Sequence, residues 1–227
     1  MHKVKLLTKE PITHNVNRYI TQKPENYEFT PGQATEVAIN KLSWEKQKRP
    51  FTFTNLNSDK TLEFVIKSYD PKIYQDHDGM TWELSKLEPG DELLVDDPWG
   101  TISYQGPGLF IAGGAGITPF LAIFNNLHKS DKIKNNKLIF SNKTARDIIY
   151  EQELKNYFNQ HNLMLTLTQT KNKNYEHGRI DEVKIRKLVS DFKKEKFYVC
   201  GPPSLVKDIK ATLKNLGANA NSLVFEK

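Results

Sequence analysis

The fold of this chain is decided by one stretch near its middle, Leu109-Phe110-Ile111-Ala112-Gly113-Gly114-Ala115-Gly116-Ile117-Thr118-Pro119-Phe120. Its apolar beginning predicts a strand, small residues follow, and Pro119 opens an apolar helix. Glycine has no Cβ and tolerates positive φ, so the backbone can turn sharply and approach a flat or anionic ligand. Pro119 suits the first helical turn, where its missing N–H costs nothing. The free N–H groups at that end of a helix favour a phosphate.

The spacing of this turn is an incomplete dinucleotide fingerprint. The fingerprint has a third Gly or Ala where this chain has Pro119, and no acidic residue stands where the ribose partner is expected. Taken alone, the stretch is equally compatible with a nucleotide site and with an ordinary strand-to-helix turn. The rest of the chain has to decide between the two.

Length and composition describe a globular protein of one large or two small domains. The chain has 227 residues, of which 37% are hydrophobic and 26% are charged. No apolar run approaches the roughly 20 residues that span a bilayer, and Met1–Lys5 lacks the apolar core of a signal peptide. The single cysteine, Cys200, excludes an internal disulfide and a multi-cysteine metal site. We therefore expect no membrane span and a cytoplasmic location.

The net charge of +6 indicates either a solvated basic surface or an acidic partner. Lysine and arginine do not gather on one predicted helix, and no DNA- or RNA-binding motif is present. We expect no nucleic-acid partner.

The two halves of the chain follow different patterns. Short segments rich in Val, Ile, Thr, Phe and Tyr fill residues 1–104, with turn signals between them and one helical piece at Thr81–Leu87, which favours an antiparallel barrel or sandwich. From Leu109 onward strand-like and helical segments alternate, which implies parallel pairing. The three helices predicted there are Pro119–Lys129, Asp147–Phe158 with a Thr144/Asp147 capping box, and Ser204–Leu216 with Gly217 as its stop. We predict domains at 1–104 and 105–227.

Ligands of open α/β sheets bind beyond the carboxyl ends of the strands. The glycine turn Gly113–Thr118 and the turn Gly201-Pro202-Pro203 both follow predicted strands. They are expected to line one crevice.

Two further motifs lie in the first half. In Arg49-Pro50-Phe51-Thr52 the arginine can hold a phosphate, the phenyl ring can stack on a flat ring, and the hydroxyl can reach a ring nitrogen. In Gly79-Met80-Thr81 a glycine opens the short helix, Thr81 can cap it, and nearby N–H groups can hold a second phosphate. Each motif also has a purely structural interpretation. The first fits an ordinary barrel strand, the second an ordinary helix cap, and Cys200 a small core residue.

The order of these four motifs resembles that of the ferredoxin–NADP reductase superfamily. The resemblance covers essentially the whole chain, including Ser141-Asn142-Lys143-Thr144 leading to Asp147-Ile148-Ile149-Tyr150. It implies an N-terminal antiparallel six-stranded β-barrel that binds FAD, followed by a Rossmann-like parallel α/β domain that binds NAD(P).

The resemblance also implies residue roles. Thr52 would approach the flavin N5, Cys200 would lie close to the hydride-donating carbon, and Glu226 would be an acidic residue close to the flavin, which makes these three the implied catalytic residues. The implied FAD contacts are Arg49, Pro50, Phe51, Thr52, Gly79, Met80 and Thr81. The implied dinucleotide contacts are Gly114, Gly116, Thr118, Cys200, Gly201 and Pro202, with Lys143 and Arg146 as candidates for a ribose phosphate.

The chain departs from the family pattern at the flavin motif. The family usually has tyrosine and serine where this chain has Phe51 and Thr52, and the lost phenol hydroxyl removes one hydrogen bond, typically worth ~1 kcal/mol. We favour NADPH over NADH because no carboxylate stands near Ser141, whereas Lys143, Arg146 and Lys171 are basic.

The implied function is an FAD-dependent NAD(P)H oxidoreductase. One cysteine cannot ligate an iron–sulfur cluster, so we expect a separate acceptor such as ferredoxin or flavodoxin, whose acidity would suit the basic surface. The alternatives are a reductase of free flavin with the same fold, a component of a larger oxidoreductase, and a non-catalytic nucleotide-binding regulatory module.

Overall fold

The computed structural model describes residues 1–100 and 102–225, and its first half is a curled six-stranded antiparallel sheet. The sheet order is β4-β3-β6-β1-β2-β5. Its strands are β1 (His2–Thr13), β2 (Val16–Gln22), β3 (Ala34–Ile39), β4 (Arg49–Thr52), β5 (Thr61–Lys67) and β6 (Glu92–Val95), with helix α1 (Met80–Leu84) between the last two. The edges meet where the Thr54 N–H donates to the Glu63 carbonyl over 3.0 Å. The predicted six-stranded antiparallel architecture is confirmed.

Strand β5 shows how the barrel wall serves two cores. Leu62, Phe64 and Ile66 lie in the barrel core, whereas Val65 belongs to a core shared with the second half of the chain. Successive side chains of a strand point to opposite faces. The face that carries Val65 is therefore the face on which the second half docks.

The second half is a parallel sheet flanked by helices. The sheet order is β10-β9-β8-β7-β11-β12, and every pairing is parallel. The strands are β7 (Gly108–Gly113), β8 (Lys137–Asn142), β9 (Leu163–Leu167), β10 (Glu176–His177), β11 (Lys196–Cys200) and β12 (Leu223–Phe225), and the helices are α2 (Thr118–Lys129), α3 (Glu151–Tyr157), α4 (Glu182–Leu188) and α5 (Pro203–Asn215). All six residues of β7 are buried, as expected for a central parallel strand. The predicted Rossmann-like α/β architecture is confirmed.

Helix α1 begins one residue earlier than predicted and ends three residues earlier. Gly79, with φ 84°, takes the N-cap position, which a glycine adopts without strain. Thr81 therefore lies inside the first turn, where its hydroxyl accepts the Tyr69 N–H over 3.3 Å. The prediction that Thr81 caps the helix is wrong.

The helix predicted over Asp147–Phe158 begins only at Glu151. The Thr144/Asp147 capping box is present, but it closes a 3-10 turn, Ala145–Asp147. Tyr150 then adopts left-handed φ 53°, a conformation that does not continue a right-handed helix. Helix α4 and strand β10 were not predicted.

The other two predicted helices are confirmed to within one residue at each end. Helix α2 has Pro119 in its first turn. Helix α5 is followed by Gly217 with φ 79°, the expected stop.

The two halves are joined through a common apolar core and a fixed connection. Val16, Val65 and Ile102 pack in one cluster with α2. The Tyr198 hydroxyl donates to the Gly106 carbonyl over 2.7 Å and accepts the Gln105 N–H over 2.9 Å. Burial raises the pKa of Tyr198 to about 12, so the hydroxyl stays protonated. The halves thus have a defined relative position, and the predicted domain boundary at 104/105 stays a prediction.

Candidate functional site

A cleft of about 840 Å³ runs between the barrel and the parallel sheet. Its barrel wall includes Pro50, Phe51, Thr52 and Thr81, and its other wall includes the glycine turn and the segment Cys200–Leu205. The second wall lies at the carboxyl ends of β7, β8 and β11, where ligands of open α/β sheets bind. The two turns that follow β7 and β11 line one crevice, as the sequence predicts.

A direct hydrogen bond joins the two halves inside this cleft. The Thr52 hydroxyl donates to the Thr118 hydroxyl over 3.0 Å, and the Thr118 hydroxyl donates to the Ala115 carbonyl over 3.0 Å. Thr52 ends β4, whereas Thr118 begins α2. The barrel motif and the glycine turn, which are 66 positions apart in sequence, therefore meet at one point.

The glycine turn and the Cys200 turn are in backbone contact. Strands β7 and β11 pair in parallel with Cys200 opposite Ala112. A Cβ at Gly116 would lie 2.5 Å from the Cys200 carbonyl oxygen and 2.6 Å from the Gly201 Cα. Only glycine fits where the backbone of this turn comes so close to the backbone of Cys200 and Gly201. Cys200 itself is 3% exposed and lines the cleft.

At the barrel end, the arginine motif and the Gly79 turn are linked by Asp78. The Arg49 guanidinium forms a close ion pair with Asp78, and the other Asp78 oxygen accepts the Met80 N–H over 3.2 Å. The Met80 side chain is fully buried in the barrel core. A phosphate at this point would meet a guanidinium and a glycine turn held together by one carboxylate.

A group of basic side chains lies where the barrel meets β8. Lys67 and Lys143 line the cleft together with Asp147. Burial lowers the pKa of Lys67, an effect that Asp147 opposes and Lys143 reinforces. Asp147 is also within 3.8 Å of the His14 Nε2. The two lysines therefore supply positive charge suited to phosphate oxygens, beside the carboxylate of Asp147.

Two observations show that the cleft fits a dinucleotide. Asn142, at the end of β8, lines the cleft with 5% exposure, and neither polar atom of its amide has a hydrogen-bond partner. A buried amide without partners costs roughly 1–3 kcal/mol, a cost that polar ligand groups remove. A Cβ at Gly114 would meet nothing within 4 Å, so the glycine turn is open at this point to a flat or anionic ligand.

The cleft lining includes most of the predicted site residues but not all of them. Those in the lining are Pro50, Phe51, Thr52, Thr81, Gly114, Gly116, Thr118, Lys143, Cys200, Gly201 and Pro202. Arg49, Gly79 and Met80 are outside the lining, next to its barrel end, and Arg146 is exposed on the 3-10 turn after β8. Glu226 lies outside the described residues.

Several lining residues were not predicted. They are Lys67, Tyr69, Tyr74, His77, Arg179 and Asp208. Lys67 and Tyr69 stand two positions apart at the end of β5, so their side chains lie on the same side of the extended chain. This spacing was the sequence signal that could have identified both as lining residues. The others come from loops and from α5, where no sequence pattern marks them.

Comparison with known proteins assigns the family. The model described as "Oxidoreductase FAD-binding domain" matches residues 3–104, and the model described as "Oxidoreductase NAD-binding domain" matches residues 110–211. The chain belongs to the ferredoxin–NADP reductase-like superfamily of oxidoreductases, and its cofactors are FAD and a nicotinamide dinucleotide.

Individual relatives carry different names. The chain is 28% identical over 229 residues to NADH-cytochrome b5 reductase 2 of Debaryomyces hansenii, covering 93% of this chain and 74% of that protein. It is 23% identical to the reductase component of propane 2-monooxygenase of Rhodococcus jostii, covering 96% of this chain and 61% of that protein. A ferredoxin NADP+ reductase structure from Neisseria gonorrhoeae superposes with a TM-score of 0.81 at 20% identity, covering 99% of this chain and 97% of that one, which shows the shared fold.

Residues 1–100 and 102–225 contain neither a membrane-spanning helix nor a metal-binding cluster. No helix in this part of the chain has the length and apolar character needed to cross a membrane. The same residues contain no group of three or more His, Cys, Asp or Glu side chains placed to hold a metal ion.

Proposed function

We propose that this protein takes a hydride from NAD(P)H onto bound FAD and passes the electrons to a separate carrier protein. The observation that carries the proposal is the Thr52–Thr118 hydrogen bond. It brings the barrel motif and the glycine turn to one point of one cleft. Hydride transfer needs the nicotinamide ring and the flavin ring in contact. The Thr52–Thr118 junction is where the proposed FAD and NAD(P)H sites meet.

The side chains around this junction have separate tasks. Phe51 offers an aromatic face in the cleft, and Arg49 with the Gly79 turn binds the phosphates of FAD. Thr52 and Thr118 orient the reacting rings by their hydroxyls. Cys200, buried behind the glycine turn, forms an apolar wall that excludes water from the reacting atoms. Bound FAD supplies a ring that accepts two electrons together and releases them singly.

The acceptor we propose is a small haem protein of the cytochrome b5 class. Support comes from the names of several relatives, including the Debaryomyces hansenii reductase. Residues 1–104 contain 13 Lys and Arg against 16 Asp and Glu, net −3, whereas residues 105–227 contain 20 against 11, net +9. The positive charge is therefore concentrated in the second half, and charge alone does not select ferredoxin or flavodoxin at the barrel.

Stopped-flow and steady-state assays test this function in two steps. NADH or NADPH should bleach the protein-bound flavin, and cytochrome b5 should then be reduced faster than ferredoxin or flavodoxin. If ferredoxin or flavodoxin were reduced faster, that carrier would be the acceptor instead of the haem protein. A colourless protein that reduces added flavin would be a free-flavin reductase, and dinucleotide binding without any reduction would make the chain a regulatory module.

The relatives named NADH-cytochrome b5 reductase support NADH as the dinucleotide, whereas the basic residues of the cleft support NADPH, and on those residues we propose NADPH. Lys143 and Arg179 line the cleft, and the Arg179 guanidinium lies 3.8 Å from Asp208 in an exposed pair. Such a surface pair contributes at most about 1 kcal/mol, so a ribose phosphate can displace it. Titration with both nucleotides tests this choice, and tighter binding of NADH would refute it. We also propose a cytoplasmic location, which cell fractionation tests.

A further inference from the structure

A polar group on the outer face of the barrel has no role in the function described so far. The Arg18 Nε and Nη2 atoms donate to one Glu63 carboxylate oxygen over 2.8 Å and 2.6 Å, and Nη1 donates to Glu10 over 3.1 Å. The other Glu63 oxygen accepts the Thr54 hydroxyl over 2.7 Å. Glu63 stands two positions before Val65, so both side chains lie on the face on which the second half docks. We call Glu10, Arg18 and Glu63 the barrel triad.

The second half of the chain presents residues 147–150 to this face. The Asp147 carboxylate lies 3.8 Å from the Nε2 atom of His14, which stands in the turn between β1 and β2. Tyr150 is half-buried and packs against the apolar core that the two halves share. We call residues 147–150 the docking segment, because both of its ends face the barrel.

Tyr150 lies within electrostatic range of the barrel triad. Burial raises the pKa of its hydroxyl, the negative charge of Glu63 raises this pKa further, and the positive charge of Arg18 lowers it. The hydroxyl therefore stays protonated at physiological pH, and the ring docks as a neutral group. Both charged residues belong to the barrel, so Tyr150 is a point of contact between the two halves.

The backbone of Tyr150 shows that this contact is maintained against strain. Its φ of 53° and ψ of 40° lie in the left-handed region. The other non-glycine residues with positive φ among those described are Asn26, Ser43 and Asp131, all of them small and polar. A bulky ring in this region is strained, and such strain persists only where the surrounding structure holds it. Docking of the ring against the barrel supplies that hold.

The docking segment and the barrel triad are each connected to one wall of the cleft. The segment comes shortly after β8, whose last residue, Asn142, lines the cleft. Thr54, which is bonded to Glu63, follows by two positions Thr52, which forms the junction with the glycine turn. We infer that Tyr150 and the barrel triad are positioning residues, which hold the FAD wall and the dinucleotide wall at the separation that hydride transfer needs. The inference rests on the proposed function.

Stopped-flow reduction of the flavin-loaded protein tests this inference in Tyr150→Gly. Glycine adopts the left-handed backbone without strain, so the variant loses only the ring. Displacement of reacting groups by about 1 Å can reduce a rate around 100-fold, and we expect flavin reduction at saturating nucleotide to slow by at least about tenfold. The dissociation constants of FAD and of the dinucleotide should change by less than about twofold, because the proposed contacts of each cofactor lie mainly in one half. The long-wavelength charge-transfer absorbance of stacked nicotinamide and flavin rings should weaken as well.

Further variants separate positioning from folding. Tyr150→Phe keeps the ring and should retain the wild-type rate. Arg18→Met should slow reduction, and the double variant with Tyr150→Gly should be no slower than the slower single variant, because both changes remove one contact. Tyr157→Ala is the matched control. Tyr157 packs against the same core, but its ring meets His128 of α2 at 4.7 Å, within the second half, so the reduction rate should stay unchanged.

Three results would overturn the inference. One is a wild-type reduction rate and charge-transfer absorbance in Tyr150→Gly, and another is a loss of FAD or dinucleotide affinity large enough to account for the slower rate. The third is that the effects of Arg18→Met and Tyr150→Gly multiply in the double variant, which would make the two residues independent. Failure of the proposed function is distinguishable, since the flavin of the wild type itself would then not be reduced by NADH or NADPH.

Discussion

Substitution of Gly116 by alanine tests the contact between the two turns. The new Cβ would lie 2.5 Å from the Cys200 carbonyl oxygen and 2.6 Å from the Cys200 carbonyl carbon. Both are backbone atoms, so relief requires movement of the whole Cys200 turn. Overpacking of this kind costs about 1–3 kcal/mol of unfolding free energy. For a chain of this size, 2 kcal/mol lowers Tm by roughly 4–8 °C.

The catalytic effect of this variant should exceed its effect on stability. Displacement of a reacting group by about 1 Å can reduce a rate by around 100-fold. We expect flavin reduction by a saturating nicotinamide nucleotide, followed by stopped-flow absorbance, to slow by at least about tenfold.

Gly217→Ala provides the matched control. Gly217 has a positive φ of 79°, unlike Gly116, and a Cβ there meets nothing within 4 Å. This control should lower Tm by backbone strain alone and leave the reduction rate unchanged. If the flavin of Gly116→Ala were reduced at the wild-type rate, the view that the glycine turn and the Cys200 turn form one rigid wall would be refuted.

Three further variants test other parts of the site. Arg49→Ala should release FAD during dialysis, since it removes the guanidinium beside the Gly79 turn; full flavin occupancy would exclude Arg49 from the phosphate site. Cys200→Ser should slow hydride transfer in stopped flow more than it weakens FAD binding, and an unchanged rate would make Cys200 a core residue only. Lys67→Met tests a pH dependence. Burial lowers the pKa of Lys67 from its usual value of 10.5. Below that pH the unfolded chain therefore binds more protons than the folded chain, and the free energy of unfolding rises with pH towards 10.5. The variant should flatten this rise in denaturant melts between pH 7 and 10.5, and an identical slope would contradict it.

Local sequence pattern was sufficient for the architecture. The strand–glycine–proline order at Leu109–Phe120 and the alternating segments after it predict a parallel sheet, which is observed. Short β segments with turn residues between them predict the antiparallel half. These features follow from side-chain periodicity and backbone preference, both of which are local properties.

The errors also have local causes. Tyr150 adopts a left-handed conformation that no propensity rule assigns to tyrosine, and α3 therefore begins four residues later than its apolar spacing suggests. Gly79 takes the cap position that was assigned to Thr81. Helix α4 and strand β10, at seven and two residues, are too short for periodicity to identify them.

The sequence by itself determined that Arg49–Thr52, Gly79–Thr81, Gly113–Pro119 and Cys200–Pro203 are turn and strand motifs suited to phosphates and flat rings. It did not determine which of them touch. Only the tertiary structure decided that Thr52 bonds to Thr118, that Gly116 lies against the Cys200 backbone, and that three rings from the segment after β5, Tyr69, Tyr74 and His77, line the same cleft. The physical reason is that contacts between residues far apart in sequence depend on how the barrel docks on the parallel sheet. That docking is set by the shared apolar core around Val65 and α2, which no single motif encodes.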